Sequence, residues 1–146
     1  MARSRKDPRH RAREAALQIL YQWDVGRADV TSAANTFFTL QWPNDDPPDP
    51  ELRAFASSLA RDTVQQIDEV DALIADTAER WRPERMAVLD RLILRMAIGE
   101  MRRDPGTPPA VIINEALELA RTFTTEESVK FINGMLDAIR KKLESL

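Results

Sequence analysis

The sequence predicts an all-helical chain, a compact seven-helix fold made of two small packed bundles, and three observations carry that expectation. Strand formers are scarce, with one Tyr and five Phe in 146 residues. No alternating apolar segment of useful length and no Asn-Gly or Asp-Gly hairpin turn occurs. Apolar residues recur instead at the three-and-four spacing of one helix face.

The first helix is expected from about Pro8 to Val25, with Ala12, Ala15, Ala16, Ile19, Leu20 and Trp23 on its buried side. Gly26 is expected to stop it by taking the left-handed conformation that glycine adopts at least cost. A shorter helix covers Thr31 to Leu40. The stretch QWPNDDPPDPE, with four prolines and four acids, reads as a surface linker.

Leu52, Phe55, Leu59 and Val64 form the next stripe, and Ile67, Val70, Ile74, Ala78 and Trp81 another in a shifted register, so a break falls near Gln65 and Gln66. The bundles are therefore divided as 1–66, with the basic arm, and 67–146. Pro83 suits the first turn of a helix whose buried face is Met86, Leu89, Ile93, Met96, Ala97 and Met101. Asp104 to Thr107 end it. Pro108 and Pro109 open a helix with Ile112, Ala116, Leu119 and Phe123 on one side. The last helix starts at Thr124 and Thr125, where Thr124 and Glu127 have capping-box spacing, and its core stripe is Val129, Ile132, Leu136, Ile139 and Leu143. Gly134 inside it costs about 0.5–1 kcal/mol relative to Ala, so a close neighbouring backbone or a ligand is expected there.

Composition narrows the function. With no cysteine, disulfides and thiolate chemistry are excluded, and a reducing cytoplasm fits. No apolar run approaches the roughly 20 residues of a membrane span. The only histidine, His10, lies in the basic arm, and four scattered glycines build no phosphate loop. No metal, no cofactor and no enzyme activity are expected.

The charge distribution is lopsided. Within the first thirteen residues Arg3, Arg5, Lys6, Arg9, Arg11 and Arg13 face only Asp7, a net +5, so the rest of a chain of net charge −3 carries −8. Such an arm is either a solvated tail or the footprint of a polyanion. Because it runs straight into an amphipathic helix, its arginines are expected to be aimed, and the arm reads as half of an RNA site.

Two stretches, RHRAREAALQILYQW and LDRLILRMAIGE followed by PPAVIINEALELARTFTTEESVKFINGMLD, resemble the two signature regions of the NusB family of bacterial transcription antitermination factors. The resemblance covers nearly the whole chain except about Asp29 to Arg80, and the length fits the stand-alone factor rather than a methyltransferase fusion. It implies a non-enzymatic adaptor that binds boxA single-stranded RNA of ribosomal RNA operons with NusE, a small-subunit ribosomal protein, and helps assemble the antitermination complex on RNA polymerase. The RNA-binding residues it implies are Lys6, Arg9, His10, Arg11, Arg13 and Tyr21, then Glu127, Ser128, Lys130 and Phe131 at the start of the final helix. Base stacking suits Tyr21 and Phe131, while core packing is the other reading of each. Asp90 and Glu100, on the helix from Arg85 to Arg103, are the expected NusE contacts. Arg95 is expected to bond Asn114 or Glu115. The alternative function is a purely protein-binding scaffold whose arm docks an acidic partner or a homodimer mate.

Overall fold

The computed structural model describes residues 7–78 and 85–145. Among these are seven α-helices and no strand: α1 (Pro8–Asp24), α2 (Val30–Thr36), α3 (Pro50–Gln65), α4 (Ile67–Thr77), α5 (Val88–Arg103), α6 (Pro109–Phe123) and α7 (Glu126–Glu144). The all-helical expectation is met. Trp81 and Pro83 lie outside the described residues. The chain divides into two units, 1–64 and 65–146.

In the first unit, Asp7 caps α1 by accepting from the Arg9 backbone N–H at 3.2 Å, and Pro8 occupies the first turn, where its missing donor costs nothing. Ala12, Ala15, Ala16, Ile19 and Leu20 are all buried. The end of α1 differs from expectation. The left-handed residue is Arg27, at φ 59°, and Gly26 is not left-handed. A Cβ on Gly26 would stand 2.6 Å from the Gln22 carbonyl oxygen, so the glycine is needed for a close backbone approach.

Asp29 caps α2, which continues as a π-helical turn over Phe37–Gln41, closed by the Trp42 N–H on the Phe37 carbonyl at 3.0 Å. The wider turn gathers Phe37, Phe38 and Trp42 into one cluster with ring centroids 5.1–6.1 Å apart. Trp42 is thus buried, contrary to its reading as linker, and its indole N–H donates to the Asp46 carbonyl. The prolines and acids after it do form exposed loop, but Pro50 and Glu51 already belong to α3.

In the second unit α5, α6 and α7 pack on one another, and α4 packs on α5 and α7. Ile93, Ile112, Leu119, Ile132, Leu136 and Ile139 are fully or almost fully buried. Gln66 marks the break between α3 and α4 and donates to the Gly99 carbonyl. The α5–α6 turn is tied by Asp104. Its carboxylate accepts from the Thr107 hydroxyl at 2.6 Å and the Gly106 N–H at 3.1 Å. Those bonds, the Thr107 hydroxyl first, hold Asp104 below its ordinary pKa.

Three expectations fail in this unit. Phe123, the last residue of α6, is 40% exposed. The cap of α7 is Thr125, accepting from the Ser128 N–H at 3.1 Å, while the Thr124 hydroxyl turns back to the Ala120 carbonyl at 2.6 Å. A capping box of Thr124 with Glu127 is therefore one residue out of register. At Gly134 a Cβ would meet nothing within 4 Å, so no neighbouring backbone accounts for it.

Candidate nucleic-acid interface

Helix geometry spreads Arg9, Arg11 and Arg13 around the first turns of α1, and the rest of the first unit supplies a seat for each. The Arg9 guanidinium carbon lies 4.2 Å from the centre of the Phe55 ring, and that of Arg13 lies 5.5 Å from the same ring. Arg11 stands 4.8 Å from the centre of Trp42 and pairs with Asp46 at 3.1 Å. A groove of about 180 Å³ opens beside it, lined by Gln18, Phe37, Trp42 and Pro43 among others. A ring beneath a guanidinium attracts it by about 0.5–1 kcal/mol at an exposed site and leaves its N–H edges available. Stacked arginines are pre-positioned for phosphate.

The three do not play one part. Arg9 is exposed and Arg11 half-buried, whereas Arg13 is only 4% exposed and serves the packing around Phe55. His10 sits in the first turn of α1, buried, with Nε2 at 3.5 Å from Glu14. Tyr21 is 40% exposed, so its ring reaches solvent. Lys6 lies outside the described residues. Sequence reasoning missed the seats themselves. The sequence reads Trp42 as loop and Phe55 as core stripe, and no periodicity links Trp42 to Arg11, 31 residues earlier, or Phe55 to Arg9 and Arg13, more than 40 residues earlier. The aromatic residues amid the acids and prolines of this nondescript stretch were the available signal.

At the start of α7, Glu127 and Lys130 are exposed, and Phe131 and Ser128 are half-buried. The Ser128 hydroxyl donates to Asp90 Oδ2 at 2.9 Å, so its proton is already committed inside the fold. Asp90 Oδ1 is buried with no hydrogen-bond partner. A wider groove of about 500 Å³ runs between the end of α6 and the start of α7, lined by Arg121, Thr125, Val129 and Lys130 among others.

The expected NusE face needs correction. Glu100 is 1% exposed and has no surface to offer a partner. Asp90, the other acid on α5, is half-buried and tied to Ser128, so this helix presents no fully exposed carboxylate. Arg95 makes a bidentate pair with Asp71, both bonds 2.8 Å, a partner that the sequence does not single out beside Asn114 and Glu115. Among the described residues no three carboxylates or histidines are grouped to hold a metal ion, and no helix is long and apolar enough to cross a membrane.

Comparison with known proteins accords with this architecture. The NusB family model matches residues 10–141. Transcription antitermination protein NusB of Solibacter usitatus (strain Ellin6076) is 48% identical over 135 residues, 92% of this chain and 90% of that protein. The solved structure of T. maritima NusB superposes with a TM-score of 0.82 at 32% identity, covering 93% of this chain and 92% of its own. The fold is also that of NusB in a crystal structure of antitermination factors NusB and NusE with double-stranded RNA, at a TM-score of 0.82 and 23% identity over 92% of this chain and 97% of that one. These likenesses define the class as helical transcription antitermination factors, which are not enzymes. The chain belongs to the NusB family.

Proposed function

We propose that this protein is an RNA-binding adaptor of transcription antitermination that holds boxA single-stranded RNA of ribosomal RNA operons together with NusE, in the cytoplasm, and helps assemble the antitermination complex on RNA polymerase. Arg9 and Arg11 bind phosphates, Tyr21 and Phe131 offer rings to unstacked bases, and Lys130 adds a cation at the start of α7. Lys6 extends the basic run. Arg13 and His10 act from beneath, as packing residues that hold the first turn of α1. Ser128 and Glu127 shape the α7 start rather than attract phosphate.

The observation that carries the reading is the stacking of Arg9 on Phe55 and of Arg11 on Trp42, in a chain whose family is one of antitermination factors. A fluorescence titration with labelled boxA RNA, with and without NusE, tests it. Binding tightens when NusE is present, and the log–log salt slope is about −3 to −4, as for roughly five phosphate contacts on a single strand. Equal affinity with and without NusE, at a flat salt slope, would overturn the proposal.

A further inference from the structure

The first unit holds a fourth ring-seated guanidinium. Arg53, exposed on α3, lies with its guanidinium carbon 5.2 Å from the centre of the Phe38 ring. Phe38 is itself 5.5 Å from Trp42, the seat of Arg11. Two adjacent rings therefore connect a cation of α1 to a cation of α3. The α3 helix also supplies Phe55, the seat of Arg9.

The pairing state of these arginines separates them. Arg11 is met by Asp46, and Arg121, Arg140 and Arg95 elsewhere in the chain are held by carboxylates. Among the described residues Arg53 makes no ion pair, and Phe38 holds its side chain in place. A guanidinium that is stacked but unneutralised keeps its full charge and a free fork of donors, which is the state suited to a phosphate diester. An ordinary surface arginine on the same helix, Arg61, has no ring beneath it among the described residues. Stacking, rather than exposure, distinguishes Arg53.

We propose that Arg53 is a further phosphate-binding residue for single-stranded RNA, so that the path of the strand continues from α1 onto α3 across Trp42 and Phe38. This rests on the reading of α1 as an RNA-binding surface. The contact adds charge and position but no base selectivity, since a phosphate presents the same oxygens whatever the base.

The full chain is titrated with fluorescein-labelled single-stranded boxA RNA over a range of salt, comparing Arg53→Ala, Arg53→Lys, Arg61→Ala and Arg9→Ala with the parent. Arg53→Ala is expected to weaken binding about 3- to 10-fold and to reduce the salt slope by about 0.7, the increment of one single-strand phosphate contact. Arg53→Lys retains the slope, and Arg61→Ala changes neither quantity. If Arg53→Ala behaves like Arg61→Ala while Arg9→Ala weakens binding, the α3 extension is wrong and the α1 reading stands. If Arg9→Ala is also without effect, the α1 reading fails and the extension with it. Weaker binding by Arg53→Ala at an unchanged salt slope would show a packing role and overturn the proposal. A further variant, Arg53→Gln, removes the charge but keeps a long polar side chain on an exposed position and is expected to lose the same slope of about 0.7, so an unchanged slope in it overturns the proposal even if the alanine variant unfolds.

Discussion

The first turns of α1 and the start of α7 are both candidate RNA-binding segments, and they are assembled by different forces. At α1, charged groups rest on aromatic rings contributed by Phe55 and Trp42. At α7, polar groups satisfy one another through short bonds: Thr125 caps the helix and Ser128 reaches Asp90. The first arrangement leaves the exposed Arg9 with no carboxylate partner among the described residues, whereas the second consumes its donors. Affinity is therefore expected to reside mainly in the arginine face, and the α7 start to contribute shape and a stacking ring.

Substitutions can break that contrast. The double variant Arg9→Ala with Arg11→Ala, leaving buried Arg13 in place, is expected to weaken boxA RNA binding by about a hundredfold at low salt and to flatten the salt slope by about 1.4, as measured by titration. Ser128→Ala leaves Asp90 with neither oxygen bonded, and chemical denaturation should show a loss of about 1–3 kcal/mol of stability. RNA affinity should change little. A large affinity loss in a fully folded Ser128→Ala protein would instead place phosphate contacts at α7.

Finer changes sharpen the comparison. Phe55→Leu keeps an apolar side chain but removes the π face under two guanidiniums, and a 3- to 10-fold loss of RNA affinity with a nearly unchanged melting temperature is the expected outcome. Asp46→Asn releases Arg11 from its carboxylate and is expected to tighten RNA binding by about 1.4- to 5-fold, the reach of an exposed ion pair. The smallest effect lies away from both regions. Asp104 has a folded-state pKa below its unfolded value, so its contribution to stability is present above about pH 4 and disappears as pH falls through the lowered value. Asp104→Asn should remove a few tenths of a kcal/mol at neutral pH and abolish that part of the acid dependence, read by thermal melts across pH.

The sequence was most informative where structure is local. Helical stripes such as Ile132, Leu136 and Ile139 are buried as their spacing requires, because one face of an amphipathic helix has to leave water. Caps were legible to within a residue: two adjacent threonines offer equivalent hydroxyls, and only backbone geometry selects Thr125 over Thr124. Tertiary choices were hidden. Whether Glu100 faces solvent depends on how α5 is rotated among its neighbours, and a charged residue near an apolar run carries no mark of that rotation. Trp42 sits among prolines and acids that announce a loop, yet its ring enters the cluster made by Phe37 and Phe38. The arginine face was half visible. Its charges are plain in the sequence, but its seats come from α3 and the π turn, whose pairing with α1 is set by folding alone.

That π turn carries a consequence for chain length. Each of its loops holds one more residue than an α-helical loop, so the indole under Arg11 owes its place to a single residue of slack in Phe37–Gln41. Deleting one residue there, for example Thr39, would let the segment relax to α-helical winding and swing Trp42 by about 100° around the axis. Arg11 would lose its perch although no amino acid touching it had been replaced, and the same indel would cut the ring bridge towards Arg53.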